Sequence, residues 1–311
     1  MKMRKEKQIQ SANPNAPVDR ISDNLSGFTR LDLVAVIAVL GVLFLIMLPA
    51  LARPGVNSKV VQCLNNHRQL CNAWRMYGDE NNDTLVYAST RNRTGKQISA
   101  DPTDPDNFAW SGIHMDNQPN NRANWDPSYD IQLRPLWPYT KSVGLYKCPS
   151  DYSTITINNV VRPRILTVSM NMFVGGFAPS KASGTLLGDT GGNGSADPFK
   201  VYSKLTGIDV PASIFVFMDM RADTINWSNF MVDMTGYPDS PQQWSDMDLP
   251  GMYHNRAASV SFADGHTELK RWIDPRTTPP MSPNGQVLIF NNVQPGNPDI
   301  TWTQDHSTRP K

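Results

Sequence analysis

His254 is followed, after nine intervening residues, by Asp264-Gly265, and His266 comes next. Imidazole and carboxylate groups bind a metal or exchange protons when they converge within a few ångströms. On one continuous strand, ten residues would hold the backbones of His254 and Asp264 roughly 33 Å apart. Only a bend at Asn255-Arg256 would shorten that span. A turn-forming Asp264, with a hydrogen-bonded His254 at the start of a strand, accounts for the same residues without chemistry. The chain also has no Gly-x-Ser-x-Gly nucleophile motif and no His-Glu-x-x-His metal helix. No enzyme, catalytic residue, metal site or cofactor is therefore expected. A metal hydrolase built on His254, Asp264 and His266 is the weakest functional reading.

The cysteines number three. Cys63 and Cys71 fall on one expected helix, about 12 Å apart along its axis, too far for a bridge between them. Either one of them pairs with Cys148 in an oxidising space, or all three stay reduced and buried. The acidic run Asp79-Glu80-Asn81-Asn82-Asp83 lacks the glycine of a calcium loop, and Thr90 stands at its twelfth position. It reads as a solvated helix-to-strand turn. Asp189 to Gly194 is a flexible turn, since a phosphate loop needs a following lysine and a helix. Trp110, Trp125, Trp227 and Trp244 lie in loop-like sequence and would suit a sugar-stacking surface. Trp74, Trp137 and Trp272 look like core.

Positioning these groups requires an anchor, a helix and a sheet. Lys and Arg (29) balance Asp and Glu (28), which excludes a dedicated nucleic-acid binder. The chain opens with Lys2, Arg4, Lys5 and Lys7, and residues 33–52 carry no charge. Twenty such residues as helix span about 30 Å, the thickness of a bilayer's hydrocarbon core. Positive charge before the span places the N-terminus in the cytoplasm and exports the chain beyond Arg53. A secretory signal would have a shorter apolar run, with its cleavage site after that run. Pro49 bends the helix. Val60, Leu64, His67, Cys71 and Trp74 recur at helical spacing and predict an amphipathic helix over 57–77, ended by Gly78. Strand-like runs come later, at 144–148, 164–168 and 213–218. The clearest hairpin joins 258–263 to 266–272 through Asp264-Gly265 in a two-residue type I′ turn. That turn sets Val260 across from Leu269, with Ala258 and Phe262 on the same face and Ser259 and Ser261 on the other.

The flank of the apolar run reads Gly27-Phe28-Thr29-Arg30-Leu31-Asp32-Leu33. It resembles the start of type IV prepilins and of the pseudopilins of type II secretion. With Phe28 as the first mature residue, Asp32 is fifth, Gly41 fourteenth and Pro49 twenty-second, each a characteristic position of those precursors. The resemblance implies cleavage between Gly27 and Phe28 by a prepilin peptidase, N-methylation of Phe28, and pairing of Asp32 with the amine of a neighbouring subunit. Glu is the usual residue at that position, and Asp is one methylene shorter. His254-x9-Asp264-Gly265 in turn resembles the C-terminal signature of a group of prepilin-like proteins. Cys63-Leu-Asn-Asn-His-Arg-Gln-Leu70, Cys148-Pro-Ser-Asp151, Ser169-Met-Asn171 and Arg276-Thr-Thr-Pro-Pro280 resemble pieces of the same group. Within it Cys63 is the usual cysteine, which implies a Cys63–Cys148 disulfide.

The fold so implied is α+β and pilin-like, a long N-terminal helix packed on an antiparallel sheet with long loops. Its parts are a leader (1–27), a transmembrane helix (28–52), an amphipathic helix (53–82), an exported β-rich domain (83–275) and a C-terminal tail (276–311). The function implied is that of a pseudopilin-like subunit of a pilus-like assembly or type II secretion. It would sit single-pass in the inner membrane, with its domain in the periplasm or at the cell surface. Its partners would be the prepilin peptidase, like subunits along the N-terminal helix and the bilayer, with no nucleic acid. The alternative is a membrane-tethered binding module, with glycan as its ligand, that uses prepilin processing only for export.

Overall fold

The computed structural model describes residues 29–47, 56–90, 98–116, 118–179, 199–246, 248–282 and 292–311. Gly27, Phe28, Pro49 and the 189–194 turn lie outside them. In chain order the elements are α1 (Arg30–Met47), α2 (Val56–Glu80), α3 (Trp137–Thr140), β1 (Thr154–Ile157), β2 (Val160–Pro163), β3 (Val168–Asn171), β4 (Phe215–Asp219), β5 (Asn229–Phe230), β6 (Ser245–Asp246), β7 (Ala257–Phe262), β8 (Thr267–Arg271), β9 (Asn292–Val293) and α4 (Pro298–Asp305). They fall into two compact units, Met1–Arg53 and Pro54–Lys311.

In the first unit, α1 is apolar all round, and Leu33, Val34, Ile37, Leu40 and Phe44 are all exposed. Thr29 caps it. The Thr29 backbone N–H and hydroxyl each donate to Asp32 Oδ2 at 2.8 Å, and the Asp32 N–H donates back to Thr29 Oγ1 at 3.2 Å. This reciprocal capping box satisfies groups that every helix start leaves unpaired. The 18 residues of α1 extend about 27 Å. Among the described residues, no helix is long and apolar enough to cross a membrane. The uncharged run of the sequence goes on to Ala52, beyond them.

In the second unit, α2 turns Cys63, Asn66, His67, Leu70, Cys71, Trp74 and Tyr77 inward. Val60 and Leu64 are only half-buried, so the seam is rotated from the expected stripe towards Cys63. Gly78 does not end the helix. α2 continues to Glu80, and the stop comes from Asn82 and Asp83, both left-handed, with the Asp83 N–H closing on the Gly78 carbonyl at 2.9 Å.

α2 packs on β7, β8 and β4 of a five-stranded sheet, ordered β5-β3-β4-β7-β8. Its pairings are antiparallel except β3 with β5. β4 and β7 are buried at every position, as befits strands covered on both faces. The edge strand β8 carries Glu268, Lys270 and Arg271, charges that discourage pairing with another chain. Phe217 and Ser261 are paired neighbours, so alternation puts Phe217, Asp219, Ser259 and Ser261 on the α2 face. Ala258, Val260 and Phe262 face away towards α4, where Trp302 meets Phe262 and Trp272 edge-on.

Several expectations are corrected. The β7–β8 register pairs Ser259 with Leu269 and Val260 with Glu268, one residue away from the type I′ prediction. The reason is the loop. The Gly265 N–H bonds the Phe262 carbonyl, the Phe262 N–H bonds the His266 carbonyl, and of Asp264 and Gly265 only Gly265 has a positive φ, +98°. That is a three-residue loop, and the slip exchanges the faces of β8, leaving Leu269 exposed. Residues 144–148 form no strand; Val143–Tyr146 is a 3-10 turn. Only Val168 of 164–168 enters a strand. The expected tail is docked in the domain. The Phe215 N–H donates to the His306 carbonyl, Asn171 Nδ2 donates to the Ser307 carbonyl, and Asn297 caps α4.

Two glycines rank differently in this fold. Gly265→Ala meets only its unfavourable φ and should cost about 1–2 kcal/mol. Gly175 has φ +92° and lies against the Val86 carbonyl, with which an added Cβ would collide. Gly175→Ala should exceed about 4 kcal/mol, the range of severe core lesions. Urea unfolding of the two variants checks the order, and equal losses would contradict it.

Candidate functional site

Four buried side chains from four separate segments converge beneath α2. Cys63 comes from the helix, Cys148 from the loop after the 143–146 turn, Asp219 from the last position of β4, and His254 from the residues before β7. One sulfur, nitrogen or oxygen from each lies within 4.8 Å of all the others.

Local structure explains each placement. Cys63 and His67 are one helical turn apart and both face the sheet. Cys148 is held by its N–H, which donates to Thr167 Oγ1 at 2.8 Å. Pro149 then turns the chain, the Asp151 N–H bonds the Cys148 carbonyl, and the Ser150 N–H points at Cys148 Sγ at 3.4 Å. Asp219 presents its carboxylate on the α2 face, as strand alternation requires. His254 is delivered by Asn255 and Arg256, whose φ angles of 56° and 60° are left-handed. The His254 N–H bonds the Ala257 carbonyl at 3.3 Å and closes that turn.

Within the cluster, the Cys63 thiol donates to Asp219 Oδ2 at 3.3 Å, and Cys148 Sγ lies 3.3 Å from His254 Nε2. The Ser259 N–H also donates to Asp219 Oδ2, at 3.2 Å. His67 Nε2 sits 3.3 Å from Asp219 Oδ1 without hydrogen-bond geometry. Both nitrogens of the fully buried His67, Asp219 Oδ1 and His254 Nδ1 thus have no hydrogen-bond partner among the described residues. A hydrogen bond from the Cys63 thiol pulls the Cys148 thiol down to about 7 against the effect of burial, with help from His254 and the Ser150 N–H. The same bond, with burial and the Asp219 charge, pushes Cys63 far up. Burial lowers the proton affinity of His254, but Cys148 and the Asp219 charge outweigh it and raise it. Two sulfurs, a carboxylate and an imidazole thus converge. Such a set can hold a cation or be oxidised.

The sequence-derived candidates are redistributed. The bend at Asn255-Arg256 exists, and it folds His254 back beside Ala257, yet it does not bring His254 to Asp264. The two stand beyond opposite ends of β7, whose six residues span about 17 Å. Asp264 bonds its own neighbour, with Oδ1 2.6 Å from His266 Nδ1 and 3.0 Å from the His266 N–H. Cys63 and Cys148 do come together, as free cysteines. Cys71 instead donates to the Phe262 carbonyl at 3.1 Å. A donor set suited to a metal therefore appears where none was expected. Asp219 was missed, and His67 was read only as part of the helical stripe; the available signal was that Cys63, Cys148 and His254 each lie in a separate likened motif. Of the loop tryptophans, Trp110 is core, stacked on Tyr146 and bonded to the Ser228 carbonyl, and Trp125, Trp227 and Trp244 are half-buried. The other likened motifs are structural, as when Arg221 holds the Pro279 and Pro280 carbonyls.

A cavity beside β6 has Asp233, Asp246, Asp248 and Asp299 among its lining residues. These carboxylates already accept bonds from Thr235, Gln294, Met231 and Ile273, so they read as structural. Burial raises Asp246 to about 6 and Asp248 to about 7. A raised carboxylate stabilises the fold fully below its unfolded value near 3.8 and loses that contribution as pH rises through its folded value. Asp248→Asn removes the titration while keeping an acceptor for the Met231 N–H. Its stability relative to the parent should therefore increase between about pH 4 and pH 7 and level off above. Urea unfolding across that range checks this, and a pH-independent difference would rule it out.

Compared with known proteins, the chain matches no family model, no curated protein and no solved structure.

Proposed function

We propose that this protein is a prepilin-like subunit, cut before Phe28, held in the inner membrane by the segment that includes α1, and carrying its second unit outside the cytoplasm. The observation that carries the reading is α1 itself. A helix apolar around its whole circumference needs an apolar environment, either a large core or a bilayer. Here Leu33, Val34, Ile37, Leu40 and Phe44 are exposed, and one carboxylate, Asp32, stands in the first turn. A charge at the mouth of such a segment is costly in lipid and marks function. Lipid covers the helix before assembly, and the helices of like subunits replace lipid afterwards. The second unit adds support of a coarser kind, a helix laid along a mostly antiparallel sheet.

Mass spectrometry of the native protein tests processing. A mature chain beginning with methylated Phe28 is expected, and an intact Met1 would sink the reading. Gly27→Ala should abolish cleavage while leaving the precursor in the membrane.

Asp32→Ala separates assembly from tethering. Cleavage should persist, while recovery of like subunits in a crosslinked pull-down falls at least tenfold. Unchanged recovery would leave only a tethered, displayed domain.

A further inference from the structure

We infer that Cys63, Cys148, Asp219 and His254 form a structural site for a zinc-class divalent cation that pins α2 to the sheet. The inference concerns the second unit alone and stands apart from the fate of α1.

The donor chemistry fits. Two thiols, one imidazole and one carboxylate oxygen form a mixed set of the kind that takes zinc in tetrahedral geometry. Zinc-to-ligand bonds of about 2.0–2.3 Å place tetrahedral donors roughly 3.3–3.8 Å from one another. The contacts seen, 3.3 Å for Cys63 with Asp219 and 3.3 Å for Cys148 with His254, with all four donors within 4.8 Å, describe a shell of that size. Four protein donors with no solvent-facing position describe a closed structural site, in contrast to catalytic zinc, which keeps an open position.

Two independent features point to a ligand. Asp219 Oδ1 and the His67 ring are fully buried, face each other and lack hydrogen-bond partners among the described residues. Leaving a buried carboxylate so weakly compensated is costly, and a cation between the thiols and the carboxylate would reduce that cost. The Cys-Pro-Ser turn also aims the Ser150 N–H at Cys148 Sγ, a bond that favours thiolate, the form that ligates metal. Behind Asp219, His67 faces the non-ligating oxygen at 3.3 Å, and a hydrogen bond formed there in the metal-bound state would make it a positioning residue that orients the carboxylate, as outer-shell partners of metal ligands do.

Purify the full chain in detergent without chelator, measure bound metal by mass spectrometry, and count reactive thiols after denaturation with EDTA. About one zinc per chain and three thiols are expected. No zinc and one thiol would mean that Cys63 and Cys148 are joined in a disulfide, which overturns the proposal. Three thiols and no zinc, even after zinc is added to reduced protein, would overturn it as well. Replacing the metal with cobalt should produce thiolate charge-transfer absorption and the visible bands of a tetrahedral centre. Their absence counts against the site without any mutation. Cys148→Ser and His254→Ala should lose the metal, while Cys71→Ser keeps it. His67→Ala should retain the charge-transfer absorption but weaken zinc about 10- to 100-fold in chelator competition; an unchanged affinity would remove His67 from the site.

Discussion

A buried carboxylate between α2 and the sheet is the constraint around which the second unit is arranged. Packing α2 on β4 and β7 buries Asp219 completely, and a buried charge costs several kcal/mol unless it is met by opposite charge or good hydrogen bonds. The seam supplies a single backbone donor, Ser259, and one weak thiol donor, Cys63. His67 faces the other oxygen and makes no hydrogen bond. Around this point the backbone accepts local cost: Asn255 and Arg256 both take left-handed φ to bring His254 in, at roughly 1–2 kcal/mol each. Strain of that kind persists when surrounding contacts over-determine it. The sheet face behind, with Phe262, Trp272 and Trp302, is apolar, whereas the α2 face carries polar side chains among its apolar ones.

The elements that were legible in the sequence are those governed by local period. Cys71 and Trp74 belong to the helical repeat and do face inward, and the apolar run through Phe215 to Met218 forms the core of a central strand. Failures occurred where backbone conformation, not composition, decides. Asp264-Gly265 suits a type I′ turn, but only Gly265 of the two takes positive φ, and one residue of loop length shifts the register of the hairpin. Gly78 looks like a helix stop, yet Asn82 and Asp83 supply the stop about one turn later. Trp110 sits in sequence with no periodicity because its burial comes from a loop passing under the sheet, where Ser228 receives its indole N–H.

The site was hidden for a different reason. Its contacts join residues 106 and 156 positions apart, and no local pattern encodes them. The spacing between His254 and Asp264 drew attention as a pair, whereas the strand between them guarantees their separation. Each serves its own end of β7: His254 enters the cluster, and Asp264 closes the loop by bonding His266. Ser259 and Ser261 gave a usable hint. Alternating serines on a strand buried on both faces signal a polar neighbour, and that neighbour is the Cys63, His67 and Cys71 side of α2.

The capping of α1 bears on how Asp32 would work in the proposed assembly. Thr29 is the N-cap, so a chain cut before Phe28 would begin one residue ahead of the helix. A new ammonium group there would sit at the positive end of the helix dipole, an unfavourable place for a cation. Asp32 already directs one oxygen to Thr29, so it is fixed in the first turn, close in sequence to the new charge. The proposed location also bears on the cluster of the second unit. Outside the cytoplasm, adjacent thiols such as Cys63 and Cys148 oxidise to a disulfide, whereas thiolates already ligating zinc are held as reduced, coordinated sulfur. On the proposed reading, an exported second unit would have to capture the cation as α2 closes on the sheet, before the two sulfurs are oxidised.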